Sequence, residues 1–79
     1  MSDDITARVQ RIVAGIAKKD DASQVPPDGD LYRDLGVKST AALDLLLSLE
    51  DEFGVAIPDD QFGDARTVAS LAQMIGALQ

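Results

Sequence analysis

Asp34-Leu35-Gly36-Val37-Lys38-Ser39-Thr40-Ala41-Ala42-Leu43-Asp44-Leu45-Leu46-Leu47-Ser48-Leu49-Glu50-Asp51-Glu52-Phe53-Gly54 reads as a tight turn followed by one long acidic helix. The helix is expected to begin at Ser39 or Thr40, to end at Phe53, and to be closed by Gly54 as a left-handed C-terminal cap. At about 100° per residue, Ala42, Leu45, Leu46, Leu49 and Phe53 share one arc and should face a core. Asp44, Asp51 and Glu52 fall largely off that arc. Leu43 and Leu47 fall at its edge and beyond, on the flank that also carries Ser39 and Glu50. Apolar residues outside the core stripe and beside carboxylates have two readings: a docking surface, or a patch covered by a neighbouring loop.

Working outward, Ile5, Val9, Ile12, Val13 and Ile16 recur with helical spacing, which predicts a helix from about Asp4 to Lys18. Ser2, Asp3 and Asp4 suit its start, and Lys18 and Lys19 its end. Asp20 to Lys38 is a long connection broken by Pro26-Pro27 and Asp28-Gly29-Asp30 and pinned by Leu31, Tyr32, Leu35 and Val37. Asp28-Gly29-Asp30 fails as a calcium loop: Tyr32 stands where an oxygen ligand is needed, Arg33 where the glycine belongs, and Ser39 where the closing glutamate belongs. After the extended link Val55-Ala56-Ile57-Pro58, Asp59 to Asp64 is expected to make one short helical turn. Thr67 then caps a last helix striped by Val68, Leu71, Ala72, Ile75 and Leu78. The expected architecture is all-α: a small four-helix bundle, three main helices plus one short one, with a long loop between the first and second.

The chain of 79 residues is read as a single domain, 1–79, whose core is built of Leu, Ile, Val and Ala, because only Tyr32, Phe53 and Phe62 are aromatic. Its net charge of −7 argues against nucleic acid and anionic membrane as partners and favours basic protein surfaces. No apolar run is long enough to insert in a membrane. The acidic start Met1-Ser2-Asp3-Asp4 is read as neither signal nor transit peptide. A soluble, cytoplasmic monomer is expected.

Histidine and cysteine are absent, so the usual general base, thiol nucleophile and zinc ligands are missing. The adjacent carboxylate pairs belong on solvated surface, and no metal site is expected. An independent enzyme has no residue to support it. Ser39 remains. It reads either as an N-cap accepting a backbone N–H, or as a modification site whose phosphate ester would sit at the positive end of a helix dipole.

The sequence resembles the acyl carrier proteins. The matching residues are Leu31-Tyr32-Arg33-Asp34-Leu35-Gly36-Val37-Lys38-Ser39, then Leu43 to Phe53 with its Leu-Glu-Asp-Glu-Phe-Gly ending, then Val55-Ala56-Ile57-Pro58-Asp59-Asp60, then Arg66-Thr67-Val68. The resemblance runs through essentially the whole chain in order. It implies a four-helix bundle carrying 4′-phosphopantetheine, transferred from coenzyme A to Ser39 by a phosphopantetheinyl transferase. The missing thiol would then arrive with the prosthetic group. The carrier would present acyl thioesters to loading and transferring enzymes of fatty acid, polyketide, lipid or related biosynthesis that have basic docking surfaces. Leu43 and Leu47 would be the apolar contacts of docking; Asp44, Glu50 and Asp51 would meet partner Lys and Arg. Small residues such as Ala42, Ala65 and Ala72 would leave room for part of an acyl chain, or else simply pack a tight core.

Three positions depart from the family pattern. Lys38 replaces the usual Asp before the serine and reverses the charge that a transferase reads there. Thr40 replaces a Leu, and Phe62-Gly63 is atypical of the short helix, which suggests altered mobility or a reshaped cavity entrance there. These changes point to a carrier dedicated to one pathway. The alternatives are an unmodified carrier-like interaction module and an aminoacyl or peptidyl carrier. The latter usually shows a Gly-Gly-His/Asp-Ser turn, which Gly36-Val37-Lys38-Ser39 lacks.

Overall fold

The computed structural model describes the backbone of residues 2–79 and the side chains of residues 4–79. Four α-helices follow in order: α1 Ser2–Ile16, α2 Ser39–Phe53, α3 Asp59–Asp64 and α4 Val68–Leu78. The expected four-helix architecture, with its long loop between α1 and α2, is what forms. Capping by Ser2 and Asp3 at the start of α1 lies outside the described residues.

Amphipathic stripes decide the packing. Val9 and Val13 of α1 are fully buried, with Ile5, Ile12 and Ile16 half-buried at the margin. They lie chiefly against α4, whose Val68, Leu71, Ala72 and Ile75 form the opposing wall, and secondarily against α2. The predicted core arc of α2 holds: Leu45, Leu46, Leu49 and Phe53 are buried and Ala42 is half-buried. Phe62 turns inward from α3 and completes the apolar centre with Ile57 and Ala65. Burying such a side chain contributes roughly 1.5–3 kcal/mol.

The helix ends follow their expected caps in two of three cases. Gly54 closes α2 at φ 64°, its N–H donating to Glu50 O. The Oγ1 of Thr67 caps α4 by accepting the Ser70 N–H at 3.0 Å. The first helix ends earlier than expected, at Ile16 instead of Lys18. Lys19 N–H reaches back to Ala14 O at 2.8 Å and Lys18 N–H to Gly15 O at 3.4 Å. That bond pattern is a Schellman stop, and it forces the residue after the cap into the left-handed region. Lys18 occupies that position with φ 60°. The charge of Lys18 suits the negative end of the helix, but its Cβ does not suit the backbone. The connection also holds a short 3-10 turn, Ala22–Gln24, capped by Asp21 Oδ1 accepting from Ser23 N–H. No regular element was expected there.

A second tie joins α1 to the end of α2. Arg8 Nε donates to Glu52 Oε2 at 2.8 Å and Nη2 to Glu52 O at 3.1 Å, while the guanidinium lies 4.5 Å from the centre of the Phe53 ring. Partly exposed ties of this kind contribute about 1 kcal/mol at most.

Lys18→Gly should raise stability by about 1 kcal/mol, because glycine adopts the left-handed position without steric cost. Urea titration should show a higher midpoint with an unchanged slope.

Candidate functional site

The long connection is fixed through one aspartate. Asp30 Oδ1 accepts the N–H groups of Tyr32 and Arg33 at 2.9 and 2.8 Å. Its backbone oxygen accepts from Asp34 and Leu35, and its own N–H donates to Asp34 Oδ2 at 2.9 Å. Outward, Arg66 Nε donates to Asp30 Oδ2 at 2.9 Å, and Leu31 N–H donates to Arg66 O at 2.7 Å. Buried Val25, Leu31, Leu35 and Val37 anchor the same segment in the core. Gly36, at φ 74°, lets the chain double back so that Val37 N–H meets Leu31 O at 2.9 Å. The next two residues are Lys38 and Ser39, so every one of these constraints bears on where the serine stands.

Ser39 is the first residue of α2, and it is exposed. The N-cap reading is corrected: the cap is Lys38, extended at φ −80°, ψ 148°, with no side-chain capping bond. The first turn is tightened by Ala41 N–H donating to Lys38 O at 2.8 Å. One residue further along than a cap, the Ser39 hydroxyl has no hydrogen-bond partner among the described residues. It opens onto a cleft of about 440 Å³ lined by Tyr32, Val37, Ser39, Ala42, Gly63 and Arg66.

Leu43 and Leu47 are 61% and 53% exposed, so they do not pack under the loop. They stand one and two turns along α2 from Ser39. Asp44 and Asp51 are exposed on the same helix, as is Lys38 before it. Glu50 is half-buried and differently employed: its Oε2 accepts the Ile57 N–H at 2.8 Å and so ties the link after α2 back onto the helix. Ala42, Ala65 and Ala72 do not share one cavity. Ala42 lines the cleft beside Ser39, Ala65 a depression between α3 and α4, and Ala72 a groove between α1 and α4.

Arg66 had no assigned role in the sequence reading, yet it lines the cleft together with Gly63 of the atypical Phe62-Gly63 pair. Arg66 lies 4.9 Å from the centre of the Tyr32 ring. The available signal was its isolation, as the one cationic side chain from Ser39 to Gln79. Hydrogen bonding to Arg66, then to the Arg33 N–H, holds the Asp30 carboxyl down at about 2 against an ordinary 3.8. The same pair raises the pKa of Arg66.

The arrangement is a small helical bundle presenting one unpartnered hydroxyl at a helix start, beside two exposed leucines and several carboxylates. Comparison with known proteins places that class. Residues 7–75 match the family model described as a phosphopantetheine attachment site. An acyl carrier protein of Trieres chinensis is 34% identical over 80 residues, covering 98% of this chain and 95% of the relative. One from Helicobacter pylori strain G27 is 46% identical over 41 residues, about half of each chain. The solved structure of an acyl carrier protein from Enterococcus faecalis superposes with a TM-score of 0.82 at 25% identity, covering 100% of this chain and 99% of that one. The chain belongs to the acyl carrier protein family, whose members are carriers and not enzymes.

The cofactor of this family is covalently attached 4′-phosphopantetheine. The residues around Ser39 fit such a group. The hydroxyl is free and exposed, and a phosphodiester there would meet the unpaired N–H groups of the first turn of α2. A cleft large enough to receive part of an arm adjoins it. No helix of the described residues is long and apolar enough to cross a membrane. Among the described residues no cluster of three or more His, Cys, Asp or Glu side chains can hold a metal ion.

The Asp30–Arg66 tie sets an acid limit. Because the folded pKa of Asp30 is depressed, its stabilisation is present above about pH 3.8 and is lost as pH falls toward 2. Thermal melts should show Asp30→Asn less stable than the parent at pH 7, with the gap closing between pH 4 and 2. An Asp30 carboxyl titrating near 4 by NMR would contradict this.

Proposed function

We propose that Ser39 is the attachment point of the phosphopantetheine arm and that α2 is the face read by partner enzymes. One observation carries this reading: the unpartnered Ser39 hydroxyl stands at the start of α2, with exposed Leu43 and Leu47 on the next two turns. In the modification, Ser39 Oγ forms a phosphodiester bond and the nucleotide half of coenzyme A departs from the cleaved pyrophosphate. The chain contains no histidine or cysteine to accept the hydroxyl proton, so the transferase brings the base. When attached, the arm supplies a thiol that holds acyl groups as thioesters.

The chain's own contribution is presentation. Leu43 and Leu47 supply a small apolar contact, and Asp44 and Asp51 supply charges that speed encounter with basic surfaces without making the complex long-lived. Glu50 contributes to this field while it holds the Ile57 backbone. Lys38 supplies a positive charge beside the serine, which favours a transferase of broad specificity, or one with an acidic residue at that contact. The 79-residue chain works as one cytoplasmic, monomeric domain in fatty acid, polyketide, lipid or related biosynthesis, as a carrier dedicated to one pathway.

Incubation with coenzyme A, magnesium and a broad-specificity phosphopantetheinyl transferase should add the mass of one phosphopantetheine, and Ser39→Ala should add none. A folded parent chain with no mass gain, even after Lys38→Asp restores the usual charge, would mean an unmodified interaction module. Leu47→Ala should leave the melting temperature unchanged while lowering the transferase kcat/KM about tenfold, equivalent to about 1.4 kcal/mol of lost apolar contact. Equal loss of stability would place Leu47 in the core instead.

A further inference from the structure

We infer that the exposed face of α2 is a polarised docking surface, cationic at its Ser39 end and anionic at its far end, which fits the unmodified chain to a transferase bearing a carboxylate opposite Lys38 and a lysine or arginine opposite Asp51. This rests on Ser39 being the attachment point and on α2 being the face that partners read. Thr40, Leu43, Asp44, Leu47 and Asp51 recur at i, i+3, i+4, i+7 and i+11, one helical stripe, and all of them are exposed. Lys38, also exposed, stands at the head of that stripe as the N-cap of α2. From Lys38 to Asp51 the helix runs about 20 Å, so the two ends of the stripe meet different parts of a partner.

The order of charges along α2 is the informative feature. The helix has no acidic residue in its first turn and no basic residue in its last. Lys38 instead lies at the start, where the helix dipole is already positive, and Glu50, Asp51 and Glu52 lie in the last turn, where it is already negative. Side chains placed for helix stability oppose the dipole, whereas these reinforce it. The arrangement weakens the helix and strengthens the field along its exposed face, which suits recognition and not folding.

Two of the terminal carboxylates are already engaged. Glu52 accepts from Arg8 Nε at 2.8 Å, and Glu50 accepts the Ile57 N–H. Lys38, Asp44 and Asp51 form no ion pair among the described residues. These charges, with Leu43 and Leu47 between the outer two, are what a partner meets. A uniformly basic surface would set a cation against Lys38, next to the hydroxyl that must react, and like charges there disfavour docking. A surface with a carboxylate at that end and a cation at the other satisfies both ends in one orientation only. Attachment of the arm removes the polarity. The new phosphodiester carries a negative charge beside Lys38 and offsets it, which leaves Asp44 and Asp51 to set the sign of the face. The modified chain then loses its hold on the transferase and fits uniformly basic partners.

The test uses two synthetic helical peptides with the same leucine stripe, one carrying Glu at one end and Lys at the other, the second carrying Lys at both ends. Each is spin-labelled at either end in turn, and the intact 15N-labelled chain is observed by NMR at low salt before modification. With the mixed peptide, the label at the Glu end should broaden the amides of Lys38, Thr40 and Ala41, and the label at the Lys end those of Asp51, Glu52 and Gly54. The all-lysine peptide should bind about threefold more weakly, the size of one exposed charge pair. Lys38→Asp should reverse that preference and melt no lower than the parent, because Asp is a favoured N-cap. After loading from coenzyme A with a broad-specificity transferase, checked by mass, the parent should bind the mixed peptide about threefold more weakly than before. Both labels broadening both ends alike, or tighter binding of the all-lysine peptide by the unmodified parent, overturns the polarity and leaves α2 as the docking face. Binding of neither peptide along α2 overturns both. A mass gain with unchanged peptide affinity overturns the loss of polarity on modification. No mass gain overturns the attachment and that loss together.

Discussion

The Asp30–Arg66 contact is the constraint on which the placement of Ser39 depends. A connection as long as Asp20–Lys38 has few backbone partners of its own, and loop ordering is entropically costly. Asp30 concentrates the partners: its side chain satisfies two backbone N–H groups of the next turn while its other oxygen reaches across to Arg66 at the entry of α4. The Asp30–Thr67 bridge and the Ala69 N–H donated to Pro27 O add backbone ties to the same α4 entry. The loop is therefore attached to the helix that packs most closely on α1, and Ser39 inherits that rigidity. A side chain that follows a long loop is imprecise unless the loop is fixed, and here one carboxylate, several backbone bonds and four buried apolar side chains fix it.

The long helix has two unlike faces. Its buried arc of Leu45, Leu46, Leu49 and Phe53 joins the core. Its other flank leaves Leu43 and Leu47 in water, which gains nothing for the free protein. Exposure of two large apolar residues on a helix otherwise rich in carboxylates is economical only if they are covered at intervals. Carboxylates around them hinder self-association of the strongly acidic chain, while a basic partner surface faces no such repulsion. Glu50, on the same helix, holds the Ile57 N–H that starts the turn toward α3.

Helix existence and core faces were legible in the sequence because periodicity is a property of spacing. The stripes of α1, α2 and α4 required no knowledge of tertiary contacts. Gly54 and Thr67 were readable as caps because their chemistry is local. Two local readings failed for local reasons. Lys18 looked like the last helical residue because its charge suits a C-terminus, but the Schellman bonds of Lys18 and Lys19 stop the helix at Ile16. Ser39 looked like a cap because serine favours that position, whereas the turn through Gly36 and Val37 delivers Lys38 there instead. The isolation of Arg66 as a cation was visible, but its placement was not, since its partners Asp30 and Tyr32 lie far from it along the chain and only the folded loop brings them together.

Lys38, adjacent to Ser39 in sequence, and Arg66, which lines the same cleft, stand on different footings. Lys38 is exposed and uncommitted, an N-cap without a capping bond, so its charge is available to a partner and screened by salt. Arg66 is committed to Asp30 through Nε–H and one N–H of Nη2, so its charge is balanced within the fold. If Ser39 carries the arm as proposed, Lys38 is the charge an approaching enzyme meets, whereas Arg66 orders the loop before it. Exchanging them would fail on both counts: a lysine at 66 lacks the planar fork that joins the loop to α4 while offering further donors, and an arginine at 38 has no carboxylate to orient it. On that proposal, selectivity at the serine and order around it are separable, held by residues that do not share a hydrogen bond.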